Sequence, residues 1–186
     1  MSEQKIKSNE NVPLGKVPKG EANIMREISI EKVVLSCGGV KDALDKEVKL
    51  LTKIAKKKPA RRQTAKRIPG FGIRPKLEVG CMVTLRGEEA AELLGRLLAA
   101  IDNQLAEEQI ADNHFSFGIA EYIEIPGEEY DREIGMIGFK VTVVFKRKGK
   151  RVKEKKIKRG KLPKKQIVTK EEIVKFMENK YDTEFE

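Results

Sequence analysis

The chain has 186 residues, which suits one domain with appendages, and it carries a net charge of +10 with an isoelectric point near 9.5. That balance favours a polyanionic partner without fixing a fold. One histidine and two separated cysteines offer no metal-ligand spacing, no run approaches the ~18 apolar residues of a membrane span, and the polar start lacks a signal-peptide core.

Charge position says more than the total. Ala55 to Lys76 holds nine basic residues and no acid, and Lys146 to Lys170 holds fourteen against Glu154 alone, so these windows carry +9 and +13 and the remainder −12. Runs without interleaved acids repel themselves unless an anion compensates them. A solvated Lys/Arg face is the plainer alternative. Cys37 and Cys81 sit in apolar contexts and read as reduced, buried small hydrophobes.

Met1 to Ile24 is polar, with Pro13, Gly15, Pro18 and Gly20, and reads as a disordered or partner-ordered arm. Arg26 to Cys37 reads as the first strand, with Ile28, Ile30, Val33, Val34 and Leu35. Lys32 falls in phase with Ile28 and Ile30, which a bulge would explain. Gly38-Gly39 turns the chain into a helix from about Lys41 to Lys56, with Leu44, Val48, Leu51 and Ala55 as its apolar stripe. Strand, glycines and helix hint at phosphate binding, but Cys37-Gly38-Gly39-Val40 has neither the dinucleotide nor the Walker pattern. A tight turn accounts for the glycines.

Pro59 bars a continuous helix through the first basic strip, and a short strand is expected around Gln63 to Lys66. A loop with Gly and Pro, Ile68 to Lys76, follows. Pro75 stands where a third fingerprint Gly belongs, so this is no dinucleotide site. Arg67, Arg74 and Lys76 are placed to meet phosphates. Phe71 and Ile73 either stack on a base or sugar, or Phe71 folds back into the core. Leu77 to Arg86 alternates with period two: Leu77, Val79, Cys81, Val83 and Leu85 point one way, and Glu78, Gly80, Met82, Thr84 and Arg86 the other.

Gly87 leads into a helix from Glu88 to about Leu105, with acids in its first turn, as the helix dipole favours. Its core stripe is Ala90, Leu94, Leu97, Leu98 and Ile101. Gln104 to Asn113 reads as a polar connector. His114 to Ala120 puts Phe115, Phe117 and Ile119 inside and His114, Ser116 and Gly118 outside. Pro126-Gly127 and Gly135 mark turns. Gly138 to Lys146 puts Phe139, Val141, Val143 and Phe145 inside, with Lys140, Thr142, Val144 and Lys146 outside. Thr169-x-x-Glu172 is a capping box before a helix from Lys170 to Lys180, whose Ile173, Phe176, Met177 and Tyr181 form a docking stripe.

The expected fold class is α+β: a two-layer domain with an open, mainly antiparallel sheet, helices on one face and an RNA-binding face on the other. Residues 1–24 form the arm, 25–147 the RNA-binding domain, and 148–186 a basic extension ending in a short helix. Small and hydroxyl residues on the open face suit RNA shape, phosphates and 2′-hydroxyls. Arg61 and Arg62 of the first strip, Gly80, Met82, Thr84 and Arg86, Ser116, and Lys140 and Thr142 are the candidate rRNA contacts. The loop candidates are Arg67, Gly70, Phe71, Gly72, Ile73, Arg74 and Lys76. Lys148, Arg151, Lys155, Lys156, Lys158, Arg159 and Lys161 belong to a segment threaded along RNA. The acids Glu124, Glu128, Glu129 and Asp131 flank a Pro-Gly turn and read as an exposed loop, and no nucleophile–base pair is evident, so catalysis is not expected. A free-standing structured-RNA binder, such as a processing or chaperone factor, is the alternative function.

Several stretches resemble one family: IEKVVLSCGGV (Ile30 to Val40), GFGIR (Gly70 to Arg74), VTLRG (Val83 to Gly87) and FSFGI (Phe115 to Ile119), in this order and spacing. They are similar to the universal large-subunit ribosomal protein numbered five, called eleven in eukaryotes, and the likeness covers Met25 to the C-terminus. The tail, with KRVKEKKIKRGK and TKEEIVKFMENKYD, is similar to the archaeal and eukaryotic branch. The resemblance implies a cytoplasmic ribosomal protein with no enzymatic activity and neither cofactor nor metal. It implies a sheet face on 5S rRNA in the central protuberance, beside the large-subunit protein numbered eighteen and 23S-type rRNA. It also implies that the loop Arg67 to Lys76 reaches the elbow of P-site tRNA, and that a small-subunit head protein is contacted. Thr84 matches the RNA face. Ser36 stands where the family pattern has Asn and Lys57 where it has Gln; both are carried as rRNA contacts. Pro69-Gly70 departs from the pattern, and residues 1–24 have no counterpart in it.

Overall fold

The bulge that Lys32 calls for is present. In the computed structural model, which describes residues 24–185, Ile28–Cys37 forms β1, and its register slips between Ile30 and Lys32. Before the slip Ile28 and Ile30 pack on the core. After it Val33 and Leu35 do, and Lys32 moves to the opposite face with Val34 and Ser36. The arm expected over residues 1–24 lies outside the described residues, except that Ile24 opens a 3-10 turn, Ile24–Arg26.

Helix α1 (Asp42–Ala55) buries Leu44, Glu47, Leu50, Leu51, Ile54 and Ala55, a wider stripe than expected. Strand β2 (Ala60–Gln63) starts directly after Pro59 rather than at Gln63. Pairing with β3 (Glu78–Leu85) sets its place, Ala60 standing opposite Met82 and Arg62 opposite Gly80. Thr64 instead closes the base of the loop, its N–H donating to the Leu77 carbonyl (3.0 Å) and its carbonyl accepting from Lys76 (2.8 Å).

Helix α2 (Glu88–Ala99) buries Ala90, Leu93, Leu94, Leu97 and Leu98 and ends before the Leu105 expected. Asp102 and Asn103 have φ of 53° and 58°, a left-handed pair that no helix continues through. The connector that follows holds β4 (Gln104–Leu105) and β5 (Ile110–Ala111). Then come β6 (His114–Ile119), β7 (Phe139–Arg147), α3 (Arg151–Glu154), α4 (Lys170–Tyr181) and β8 (Glu184–Phe185).

The main sheet has six strands in the order β2-β3-β1-β7-β6-β5, every neighbour antiparallel, and β4 and β8 form a separate parallel pair. Leu, Ile and Val from α1 and α2 meet Val33, Leu35, Val83, Val141 and Val143 in one core. A ladder of rings, Phe117–Phe115–Phe145–Phe176, brings α4 onto the same face, with centroids 5.9, 5.8 and 5.6 Å apart. The fold is thus two layers, with helices on one face of the sheet.

Two polar joints add to these contacts in fastening the C-terminal extension to the core. Asn113, at φ 65°, accepts the Val168 N–H on its side-chain oxygen and donates its own N–H to the Val168 carbonyl, both at 3.0 Å. Arg147 shares the inward phase of Phe145 and is buried. Its guanidinium donates to the Arg26 carbonyl (3.1 Å) and to Glu172, whose same carboxylate oxygen accepts the Thr169 N–H (3.1 Å) as half of the capping box. Burial pushes the Glu172 carboxyl up, but the Arg147 hydrogen bond and the Thr169 N–H outweigh it and leave it below the ordinary carboxylate range.

Candidate nucleic-acid interface

Strand pairing lines up the outward residues in rows across the open face. One row runs Gly118, Lys140, Ser36, Met82, Ala60; the next runs Ser116, Thr142, Val34, Thr84. Beyond them His114, Val144 and Lys32 are opposite one another, then Lys146 and Ser29. None of these positions is a carboxylate. Ser116 Oγ and Thr142 Oγ1 are 3.2 Å apart and hydrogen-bond each other across the strands. Ser36, Ser116, Gly118 and Lys140 line a shallow depression of about 460 Å³ at one end of the face. Short polar side chains, glycine and cations make a surface that a rigid polyanion can approach closely.

Three sequence candidates are placed differently from expectation. Gly80 is buried, and a Cβ there would stand 2.8 Å from the Cys37 carbonyl oxygen, so its role is to let β1 and β3 close up. Arg61 stands opposite inward-facing Cys81, so it projects to the helix face, where it pairs with Asp45 of α1 (2.7 Å) and Glu78 (3.0 Å). These acids hold its guanidinium further above its ordinary range. Lys57 follows α1 and pairs with Glu89 in the first turn of α2, also on the helix side. Arg62, one residue on, takes the opposite phase to Arg61, and Arg86 is exposed just beyond β3.

The loop after β2 is an ordered hairpin. Ile68 and Ile73 bridge, Pro69–Phe71 makes a 3-10 turn, and Gly72, at φ 65°, donates to the Pro69 carbonyl (2.9 Å). This closes the turn, and Phe71 at its tip is 79% exposed. Arg67, Gly70, Arg74 and Lys76 are exposed around it and Ile73 is half-buried. Of the two readings of Phe71, folding back into the core is the one the structure removes.

In the extension Lys148 pairs with Glu27 (2.6 Å), whose carboxyl is held down by that hydrogen bond. Arg151, Lys155, Lys156, Lys158, Arg159 and Lys161 are exposed. Lys32, Lys146 and His114 were not among the sequence candidates, yet they share the open face. Continuing the alternation past the bulge would have found Lys32. Cys37 and Cys81 face each other across β1 and β3, with Glu47 Oε2 4.0 Å from Cys81 Sγ. The Cys81 hydrogen bond and burial push the Cys37 thiol up, and burial raises Glu47. No group of potential metal ligands occurs among the described residues, and no helix there is long and apolar enough to cross a membrane.

One sheet face covered by helices, the other free of helices and cation-bearing, with an ordered basic hairpin at its rim, defines a two-layer α+β scaffold that presents a broad surface. The family model for the C-terminus of ribosomal L5 proteins matches residues 78–183, and that of ribosomal protein L5 matches residues 23–74. Large ribosomal subunit protein uL5 of Methanococcus maripaludis is 38% identical over 88% of this chain and 94% of its own length. The uL5 proteins of Nanoarchaeum equitans and Archaeoglobus fulgidus are 42% and 37% identical, over 82% and 86% of this chain and 92% and 91% of their own lengths. The chain belongs to the ribosomal protein L5 family: it is a structural, non-enzymatic constituent of the large ribosomal subunit.

Proposed function

We propose that the open sheet face docks on 5S rRNA in the central protuberance of a cytoplasmic ribosome, and that the Phe71 hairpin reaches P-site tRNA. The two carboxylate-free rows across the sheet are the observation that carries this reading. Ser36, Met82, Thr84, Ser116, Lys140 and Thr142 supply shape fit and hydroxyl contacts, while Arg62 and Arg86 meet phosphates at the edge. Arg67, Arg74 and Lys76 hold the tRNA backbone, with Gly70 and Gly72 allowing close approach and Phe71 and Ile73 against a sugar or base. The extension, from Lys148 through Lys161, lies on 23S-type rRNA. The large-subunit protein numbered eighteen and a small-subunit head protein are the protein neighbours on this reading.

The test is binding of the full chain to 5S rRNA at about 150–200 mM salt, near physiological, against excess tRNA. Binding that survives competitor supports shape recognition by the sheet. Binding that collapses means that only the basic strips are engaged and favours a free-standing RNA binder.

A further inference from the structure

The second basic strip does not trail away from the domain. At one end Lys150 pairs with Glu31, and at the other Val168 is fully buried and held to Asn113 by two hydrogen bonds. Between them the chain folds back on itself: the Gly160 N–H donates to the Val152 carbonyl (3.0 Å), and a Cβ at Gly160 would lie 2.6 Å from Val152 Cγ1. The anchored segment encloses a cleft of about 690 Å³ against the ends of β6 and β7. That volume lies within the range of about 300–1,000 Å³ common for ligand sites.

Two chemistries line it. Val144, Leu162 and Ile167 bring apolar surface, and Lys146, Lys153, Arg159 and Lys161 bring charge. None of these four cations has an ion pair among the described residues. Arg159 donates its Nε–H to the Lys155 carbonyl (3.3 Å), which orients the guanidinium and leaves its terminal amino groups unengaged. Asp112 is the one acid in the lining, and its backbone carbonyl lies 3.1 Å from Nδ1 of His114, which also lines the cleft. A duplex backbone needs only the cations. An apolar-lined cavity beside them suits a base removed from its stack.

We propose that this cleft binds one unstacked nucleotide of an RNA strand, its base against Val144, Leu162 and Ile167 and its flanking phosphates on Lys146, Lys153, Arg159 and Lys161. This rests on the RNA-docking reading and adds a second mode: duplex shape on the sheet, one splayed base at the extension.

The experiment uses the full chain and three RNAs at one salt concentration: a hairpin with a single bulged nucleotide, its fully paired counterpart, and 5S rRNA. The expected result is binding of the bulged hairpin roughly tenfold more tightly than the paired one, ~1.4 kcal/mol. The double variant L162S/I167S, at partly exposed positions, abolishes that preference. Arg159→Ala, exposed and outside the core, weakens the bulged complex more than the paired one. Equal affinity of the unmodified chain for both hairpins, with 5S rRNA still bound, overturns the cleft and leaves the sheet reading intact. Failure to bind any of the three overturns both.

Discussion

Replacing Glu172 by Gln separates charge from shape at the joint between the extension and the core. The Gln oxygen still accepts the Thr169 N–H, so the capping box keeps its geometry, but Arg147 loses its counter-charge. The pair is lopsided, with the Arg147 side chain 6% exposed and that of Glu172 39% exposed. Removing the partner of a buried charge costs ~3–5 kcal/mol when the site is dry. Water at Glu172 screens this pair, which lowers the expectation to about 1–3 kcal/mol. A chain of this length loses ~2–4 °C of melting temperature per kcal/mol, so E172Q should melt about 2–12 °C lower. Arg147→Met, which leaves a hydrated carboxylate rather than a buried cation, should cost less than E172Q. The pH dependence has a defined sign. Glu172 is held below its unfolded pKa, so its contribution is complete above that value, ~4.3. It is lost as pH falls through the folded value, and the gap between wild type and E172Q closes there. Thermal melts by circular dichroism at neutral and acid pH decide it. A larger loss for Arg147→Met than for E172Q at neutral pH would refute the reasoning.

Three further outcomes follow from placement. Gly80→Ala drives a methyl into the Cys37 carbonyl and should destabilise by ~1–3 kcal/mol, as overpacking does, seen as a lower denaturant midpoint. Thr84→Glu puts an acid at an exposed site in a carboxylate-free row; 5S rRNA affinity should fall roughly tenfold, ~1.4 kcal/mol, with the melting temperature unchanged. Arg74→Ala, on the exposed hairpin, should weaken tRNA contact without unfolding the chain, and a normal tRNA footprint on ribosomes carrying it would count against the hairpin's role.

Period-two alternation located β1, β3, β6 and β7 to within two residues at either end, because each has one face on a continuous core. The bulge was legible for the same reason: Lys32 in an inward phase is too costly to leave there. Thr169-x-x-Glu172 announced α4 because a capping box is a local, reciprocal hydrogen bond. The early end of α2 was missed although it carries a local signal: apart from glycine, Asp and Asn are the residues that most readily take the left-handed conformation found at Asp102 and Asn103. Strands β4 and β8 were hidden, being two residues each and made only by pairing with each other. At the candidate site, alternation sorted residues by face but not by cover. It put Gly80 with Thr84 and had no way to see the Cys37 carbonyl above it.

The charge strips show the same limit, and a measurement follows from it. Counting along the chain treats adjacent cations alike, whereas an edge strand sends neighbours to opposite faces. Acids distant in sequence then neutralise one of them: Asp45 and Glu78 hold Arg61, while Arg62 shares the open face. Each phosphate neutralised by a protein cation steepens the dependence of log K on log salt by ~0.7–0.9. Arg62→Ala should therefore lower the slope for 5S rRNA by about that amount, and Lys140→Ala likewise. Arg61→Ala should leave the slope unchanged and show instead as a small loss of stability, since exposed pairs contribute ~0–1 kcal/mol. Titrations over a range of salt concentrations measure all three slopes. Equal reductions for Arg61→Ala and Arg62→Ala would mean that RNA displaces the Asp45 and Glu78 pairs, and the contact would then wrap the sheet edge rather than stop at the open face.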